Sequence, residues 1–386
     1  MVYAGVAARG PGARVAAFTR ALLTELALRA DAADERFGPP GSAGRAPLET
    51  VYLGGGTPTL LPPASVAAIL GLVRARFGIA DGAEVTIEAN PGPDERGDAP
   101  ALVAAGVTRL SLGAQAFDPG LLRRLGRRHR PADVEAAVGA ARAAGIASVS
   151  VDLLYDVPGQ SAEAWAATLD AAIDLRVDHV SAYALTLDDP DAEGLTGVLG
   201  DHLPTTVGAR RWRDAAIPEQ DDDRAAAQYR HAVERLGGAG FRGYEISNWA
   251  RPGHESRHNL VYWQRLPYEA VGPGAHAFDG VTRRWNAARL DGDVAALGGE
   301  SPALPPGGSE AVDAAGAAAE AAILGLRLDT GMSLDDALAG PLAPHVSWAE
   351  GAGLLESFAG SGGGESRVRL TIAGRLLSNE LFSRLV

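Results

Sequence analysis

Between residues 50 and 185 the sequence alternates short apolar segments with longer amphipathic ones, and this alternation limits the possible folds more than any other feature. The short segments are predicted strands: Thr50–Leu53, Glu84–Glu88, Arg109–Leu112, Ser148–Leu154 and His179–Leu185. The segments between them are predicted helices: Ala64–Phe77, Pro100–Ala105, Pro131–Ala144 and Ala162–Leu175. Strands joined by crossover helices lie parallel, and there is no dinucleotide-binding signature, so the pattern favours a (β/α) barrel or part of one.

A helix, Arg14 to about Ala33, comes before the first predicted strand. A (β/α) barrel starts with a strand, so we expect a partial barrel that lacks its first strand. Its ligand-binding groups should lie at the carboxyl ends of the strands. The strand at the open edge would have unpaired backbone groups, and we expect the chain as written to be poorly soluble.

Changes in composition divide the chain into three predicted parts. Residues 1–240 contain the partial (β/α) barrel, and residues 241–300 form a connecting region. Residues 301–386 form a small α+β domain. The Gly- and Pro-rich stretch Gly292–Gly308 is predicted to be a linker between the last two parts.

The pattern outside the barrel is weaker. Asp188–Asp223 is acidic and is predicted to be a loop, and Tyr244–Ile246 is predicted to be a short strand. In the C-terminal part, Ala311–Arg327 is predicted to be a helix and Arg367–Ile372 a strand.

Composition excludes several classes of function. The 386 residues include 35 Lys and Arg against 48 Asp and Glu, a formal charge of −13 that argues against broad nucleic-acid binding. No apolar stretch is long enough for a membrane span, and no basic-then-apolar leader opens the chain, so we expect a cytoplasmic protein. There is no cysteine, which removes disulfides, thiolate metal sites and cysteine-ligated iron–sulfur clusters from the chain as written.

Three glycines, Gly54, Gly55 and Gly56, follow the first predicted strand and precede Thr57. Glycine lets the backbone approach a ligand closely, and the free N–H groups can bind a carboxylate or a phosphate. The same triplet also fits a plain tight turn, and both interpretations stay open at this point.

Polar residues also end the other predicted strands. Glu88 and Asn90 end the second, Gln115 the third, and Asp152 lies within the apolar fourth, while Arg127 follows the third strand. Each alone is more often a structural hydrogen-bonding group or, for Arg127, a solvated surface charge. Together at one barrel mouth they would offer carboxylate, amide and cationic groups to a single ligand.

The segment His258-Asn259-Leu260-Val261-Tyr262-Trp263 combines an imidazole with two aromatic rings. Such a group can bind a flat aromatic ligand, with imidazole on a metal and the rings against a macrocycle. From the residues alone, a core aromatic cluster around a hydrogen-bonded histidine is the better interpretation.

Five segments in this order resemble one family. They are YLGGGTPT from Tyr52, TIEANPG from Thr86, LSLGAQAF from Leu110, DLLYDVPGQ from Asp152 and EISNWARPGHESRHNLVYW from Glu245. The set resembles the HemW-like heme chaperones of the radical S-adenosylmethionine (SAM) superfamily. The resemblance covers the chain from about residue 12 to the end. These are related to the oxygen-independent coproporphyrinogen III oxidases.

The resemblance implies a partial barrel of radical SAM type with a small C-terminal domain and SAM at the barrel mouth. By motif, Gly55, Gly56 and Thr57 would contact the methionine part of SAM. The residues that would surround SAM are Glu88, Gln115, Arg127 and Asp152.

The last motif matches the heme-binding element of the family, which reverses the interpretation drawn from the residues alone. The residues that would bind heme are His258, Asn259, Tyr262 and Trp263, with His258 as the candidate iron ligand. The implied function is that of a heme-binding chaperone that delivers heme to acceptor proteins. The alternative is oxidative decarboxylation of coproporphyrinogen III in porphyrin biosynthesis.

The sequence departs from the family pattern in two places. The superfamily holds a [4Fe–4S] cluster with three cysteines in the loop after its first strand, and this sequence has none. Met1–Gly5 resembles the chain that follows that loop. Either the natural protein begins upstream, or the chain is a cluster-free derivative without cluster-dependent catalysis. Asp156 stands where the family has glycine in Tyr-Gly-x-Pro-Gly.

Overall fold

A computed structural model describes residues 12–42, 44–360 and 365–385. The segment Met1–Gly5, to which the expectation of a missing first strand and cluster loop refers, lies outside these ranges. The largest sheet has seven strands in the order β1-β2-β3-β4-β5-β7-β6. Its strands are β1 (Leu48–Leu53), β2 (Ile79–Ala89), β3 (Arg109–Gln115), β4 (Ser148–Tyr155), β5 (His179–Ala184), β6 (Arg242–Gly243) and β7 (Asn248–Ala250).

This sheet confirms the predicted α/β fold. Strands β1 to β5 are parallel and neighbour one another in chain order, which is the topology of a half-barrel. The helices of the molecule are α1 (Gly12–Phe37), α2 (Pro63–Phe77), α3 (Ala99–Ala105), α4 (Pro119–Arg124), α5 (Pro131–Ala144), α6 (Ala162–Asp174), α7 (Val207–Ala216), α8 (Asp222–Gly238), α9 (Arg257–Trp263), α10 (Leu290–Leu297), α11 (Ala314–Arg327), α12 (Leu334–Ala337), α13 (Ala343–Gly351), α14 (Ile372–Leu376) and α15 (Ser378–Phe382). Among the described residues, no helix combines the length and the apolar character needed to cross a bilayer.

Short polar residues fix where many of these helices begin. Each such residue accepts a hydrogen bond from a backbone N–H of the first turn, which would otherwise have no partner. The capping residues are Asp98 for α3, Asp118 for α4, Ser161 for α6, Thr206 for α7, Asp221 for α8, Ser256 for α9 and Asp313 for α11.

The two faces of the sheet differ in polarity. In β4, Val149, Val151 and Leu153 are fully buried in the apolar core, whereas Ser150 and Asp152 alternate with them and line a polar cavity. This period of two is the period of side chains along a strand. The helices therefore cover an apolar outer face, and the inner face of the half-barrel is polar.

Three predictions outside the barrel were wrong. Tyr244–Ile246 is a turn between β6 and β7, because the buried Glu245 carboxylate accepts the Ser247 N–H and closes the hairpin. Asp188–Asp223 contains helix α7, which Thr206 caps. Gly292–Gly308 is not an open linker, since α10 enters it and packs on α1.

The remaining strands form two small antiparallel sheets. One has the order β10-β9-β8 and contains β8 (His276–Phe278), β9 (Thr282–Asn286) and β10 (Gly307–Ala311). The other has the order β11-β13-β12 and contains β11 (Met332–Ser333), β12 (Leu355–Ala359) and β13 (Ser366–Leu370). The second sheet and its helices surround an apolar cluster of their own, which includes Leu326, Val346 and Val368. The division into three parts at residues 240 and 300 stays a prediction.

A buried polar network joins α1 to β9. Glu25 is fully buried and accepts hydrogen bonds from Arg29, from the Asn286 amide at 2.8 Å and from the Gly272 N–H at 2.8 Å. Asp293 of α10 is buried too, but neither of its carboxylate oxygens has a hydrogen-bond partner among the described residues. Burial, and next the charge of Glu25, raise the pKa of Asp293 to about 7.

We expect Asp293 to make the stability of this protein depend on pH. Its pKa is higher in the folded than in the unfolded chain, so the free energy of unfolding falls as the pH rises from about 4 to about 7. The Asp293→Asn variant removes this titration. Relative to the parent it should therefore gain roughly 1–3 kcal/mol of stability between pH 5 and pH 8, because the parent loses stability over that range. Urea unfolding at both pH values measures the difference.

The matched control is Asp291→Asn, two residues earlier in the same helix, where the side chain is exposed. Its effect should be small and the same at both pH values. An Asp293→Asn variant whose stability differs from the parent by the same amount at pH 5 and pH 8 would contradict the interpretation.

Candidate functional site

The glycine turn after β1 encloses the Glu88 carboxylate. The Gly55 N–H donates to Glu88 Oε2 at 2.7 Å, and the Tyr52 hydroxyl donates to Oε1 at 2.8 Å. A Cβ at Gly54 would lie 2.5 Å from the Tyr52 ring and 2.9 Å from Glu88 Oε1, so no side chain fits there. Gly55 and Gly56 have φ of 82° and 70°, the left-handed region that favours glycine. Burial raises the pKa of Glu88 against the lowering effect of these two hydrogen bonds.

Asn90 ties the glycine turn to the arginine-rich segment after β3. Its amide donates to Thr57 Oγ1 at 2.9 Å, and its carbonyl oxygen accepts from Arg127 at 3.0 Å. Arg127 is therefore fixed at the barrel mouth through Asn90. Because of this hydrogen bond, Arg127 is more than a solvated surface charge.

A polar cavity of about 270 Å³ lies against the inner face of the sheet. Glu88, Gln115 and Asp152 all line it, so the structure brings together three of the residues predicted to surround SAM. Thr86 also lines it, and its buried hydroxyl has no hydrogen-bond partner in the described chain. A buried hydroxyl without a partner fits a cavity that receives a polar ligand.

Asp152 is the most strongly perturbed acid of this cavity. The Ser111 hydroxyl donates to its carboxylate at 3.2 Å, and the Ser181 hydroxyl is also hydrogen-bonded to it. Burial is the largest effect on the Asp152 pKa and, with the charge of Glu88, raises it to about 6. Asp152 therefore changes charge close to physiological pH. Such perturbed acids are typical of functional sites.

Two residues at strand ends have left-handed backbone conformations that are unusual outside glycine. Gln115, at the end of β3, has φ of 65°, and Asp156, just after β4, has φ of 54°. Strained backbone of this kind is concentrated at functional sites. At Asp156 two contacts with α8 hold this conformation. Arg224 binds the Asp156 carboxylate with Nε at 2.8 Å, and the Asp156 N–H donates to Gln228 at 2.8 Å.

We expect the Asp156–Arg224 pair to stabilise the aspartate where the family pattern has glycine. Arg224→Ala should lower the free energy of unfolding by about 2–3 kcal/mol, because it leaves a buried carboxylate without its cation. In an Asp156→Gly background the same substitution should cost less than about 1 kcal/mol. Urea unfolding of the four proteins gives the coupling energy. Equal costs of Arg224→Ala in both backgrounds would show that the pair does not hold this turn.

Helix α9 presents His258 and Tyr262 to β1. The imidazole stacks on the Tyr52 ring at 4.9 Å between centroids and is hydrogen-bonded to Thr50 and to Tyr262. These residues line an apolar groove of about 570 Å³ along β1. Burial lowers the pKa of His258 to about 4, so the ring is neutral at physiological pH.

The structure does not bring the four predicted heme-binding residues to one surface. His258 and Tyr262 line the apolar groove, but Asn259 lines the polar cavity beside Asp152. Trp263 lies under the Arg327 guanidinium of α11, 4.3 Å from the ring centroid. Residues one position apart on a helix point about 100° apart, so the motif is divided between three regions of the molecule.

Sequence reasoning missed three residues that build this site. Thr50 contacts His258, Thr86 lines the cavity, and Glu84 accepts the N–H groups of Arg257 and His258 at 3.1 and 3.0 Å. The sequence does contain a sign of them. Glu84 and Thr86 lie four and two residues before Glu88, so all three side chains point to the same face of β2, and Thr50 and Tyr52 share a face of β1 in the same way.

The fold and the site define a class. A radical SAM superfamily model matches residues 42–172 of this chain. The chain also has the fold of the coproporphyrinogen III oxidase HemN from Escherichia coli, a radical SAM enzyme, with a TM-score of 0.75. The two chains are 22% identical, and the match covers 96% of this chain and 83% of the other, so it shows the fold alone. This is a protein of the radical SAM class.

Similarity to curated proteins narrows the class. The chain is 40% identical to the heme chaperone HemW of Mycobacterium tuberculosis (strain CDC 1551 / Oshkosh) over 287 residues, which are 74% of this chain and 69% of the relative. It is 38% identical to the heme chaperone HemW of Synechocystis over 232 residues, 60% of this chain and 53% of the relative. The chain belongs to the HemW family.

The residues present do not fit the iron–sulfur cluster of the superfamily. The sequence has no cysteine to supply thiolates, and in the described ranges no three His, Asp or Glu residues are grouped as a metal site would require. The cavity and rim residues do offer hydrogen-bonding and charged groups to SAM.

Proposed function

We propose that this protein is a heme-binding chaperone that delivers heme to acceptor proteins. The observation that carries the proposal is the position of His258 and Tyr262 in the wall of an apolar groove. The curated relatives named heme chaperones support the same function. The cytoplasmic location expected from the sequence stays a prediction.

The groove has the chemistry that a tetrapyrrole requires. Its volume of about 570 Å³ lies within the usual range of small-molecule sites. Apolar side chains from β1, α9 and the segment after α9 form most of the wall, which would cover the faces of a flat macrocycle. These apolar residues include Leu48, Val51, Val261, Leu266 and Val271. His258 supplies a neutral imidazole, which is the form that binds heme iron.

We expect His258→Ala to weaken heme binding by more than about tenfold, because loss of an outer-shell partner alone weakens metal sites by about that factor. Titration of the 386-residue protein with hemin, followed by its absorbance spectrum, measures the affinity and reports the axial ligand. The matched control is His345→Ala on α13, outside the groove, which should bind hemin like the parent.

Unfolding curves separate loss of the ligand from loss of the fold. Parent-like hemin binding by a folded His258→Ala protein would exclude His258 as the iron ligand. A parent protein that fails to bind hemin would exclude the chaperone function for this chain.

SAM binding at the polar cavity is the second part of the proposal. Glu88, Gln115 and Asp152 would surround the ligand, and the Thr86 hydroxyl, which has no partner among the described residues, would gain one there. At the rim, Thr57 and Arg127 are held together through Asn90. SAM supplies a sulfonium cation and ribose hydroxyls, which the carboxylates can bind. The roles of Gly55 and Gly56 toward the methionine part belong to the same proposal.

We expect SAM affinity to fall as the pH drops below about 6, because protonation of Asp152 removes a negative charge facing a cationic ligand. Asp152→Asn should weaken SAM binding at pH 7.5 by about tenfold, the value of a charged hydrogen bond, and should flatten the pH dependence. Equilibrium dialysis with SAM between pH 5 and 8 measures both. Asp170→Asn, at an exposed position on α6, is the control. The same pH dependence in parent and Asp152→Asn would contradict the assignment.

We do not propose the coproporphyrinogen III decarboxylation kept as an alternative above. The likeness to the oxidase structure is of fold alone. The specific feature of the structure is the histidine in an apolar groove, and it favours binding of heme over chemistry on a porphyrinogen.

A further inference from the structure

Both ring nitrogens of His258 are engaged by hydroxyl groups. Nδ1 lies 2.9 Å from Thr50 Oγ1, and Nε2 lies 2.8 Å from the Tyr262 hydroxyl. A neutral imidazole carries one N–H and one lone pair, so one hydroxyl must accept a proton from the ring and the other must donate one to it. Which nitrogen can bind a metal depends on this assignment.

The two hydroxyls are not equivalent donors. The phenol of Tyr262 is more acidic than the aliphatic hydroxyl of Thr50 and donates the stronger hydrogen bond to a lone pair. The favoured arrangement therefore has the Tyr262 O–H donating to Nε2 and the Nδ1–H donating to Thr50 Oγ1. The lone pair then lies on Nε2, the nitrogen on the Tyr262 side of the ring.

The position of the ring is fixed from the backbone as well. The Glu84 carboxylate accepts the N–H groups of Arg257 and His258 at the start of α9, and Ser256 accepts that of Asn259. Glu84 itself lies on β2, next to the strand that carries Thr50. Helix α9 and β1 are thus held in register, and the imidazole has little freedom to turn over.

We propose that Thr50, by accepting from Nδ1–H while Tyr262 donates to Nε2, stabilises the Nδ1–H form of His258, so that Nε2 is the iron-binding atom, and that Tyr262 is a displaceable cap on Nε2. This inference rests on the proposed heme site and assigns a different role to Tyr262 from the heme contact that the resemblance implies. Heme binding breaks the Tyr262–Nε2 hydrogen bond and forms the iron–Nε2 bond. The phenol keeps its proton, and the Nδ1–H bond to Thr50 remains and raises the basicity of the ligand.

The Tyr262 ring already borders the groove that heme would enter. Tyr262 meets the ring of Tyr268 edge to face at 4.7 Å, and both rings line the groove. The control for the binding experiment therefore comes from outside the groove: His345 of α13 does not line it.

The first experiment uses the heme-free protein and tests Thr50 alone. Nitrogen-15 NMR of the histidine side chains at pH 7 distinguishes the two tautomers, with His258→Ala identifying the signal. We expect the Nδ1–H form in the parent and a mixture of the two tautomers in Thr50→Val, where the Nδ1–H would have no acceptor. An Nε2–H form in the parent, or an unchanged tautomer in Thr50→Val, would overturn the role of Thr50.

The second experiment tests the cap by hemin titration. Tyr262→Phe removes a competitor of iron and should bind hemin about fivefold more tightly, which is the value of one ordinary hydrogen bond. Thr50→Val should bind about fivefold more weakly, and His345→Ala, outside the groove, like the parent. A Tyr262→Phe protein that binds hemin more weakly than the parent, or equally well, would overturn the cap. Failure of the parent to bind hemin would overturn the heme site and the cap together, whereas the tautomer result would still decide Thr50.

Discussion

The alternation of side chains along β1 to β5 is the constraint on which the rest of this structure depends. One set of positions is apolar and packs beneath the helices, and the other set is polar and faces inward. A polar inner face is costly unless its groups find partners, because buried hydroxyls and carboxylates lose water on folding. The partners come from neighbouring strands: Tyr52 donates to Glu88, Ser111 donates to Asp152, and Ser150 is hydrogen-bonded to His179.

Helix α9 joins this polar interior to the apolar groove along β1. It begins on the Glu84 carboxylate, places His258 between Thr50 and Tyr262, and directs Asn259 into the cavity. Its last residue, Trp263, contacts the C-terminal helix α11 through Arg327, whose guanidinium also binds the buried Glu245. One short helix thus connects three regions. A ligand that displaced α9 would therefore also displace Asn259 in the polar cavity and Trp263 against the C-terminal part.

The sequence predicted the repeating part of the fold and failed where single contacts decide the structure. The five parallel strands follow from apolar periodicity, and residues at strand ends such as Glu88 and Asp152 meet because parallel strands end at one edge. Thr50 and Glu84 were missed because their roles depend on α9, which is about 200 residues away in the chain. The turn at Glu245 was mistaken for a strand, since a buried carboxylate that closes a hairpin leaves no periodic signal.

The pair formed by Asp156 and Arg224 has a consequence for how ligands reach the barrel. A glycine after β4 would leave that loop free to change its backbone angles when something enters the mouth. Here the aspartate is bound to α8 by its side chain and its backbone, so every such change would separate opposite charges in a partly buried place. This loop is a rigid part of the rim. A change of backbone angles at the mouth therefore costs more in this loop than it would with glycine, because it has to break the Asp156–Arg224 pair.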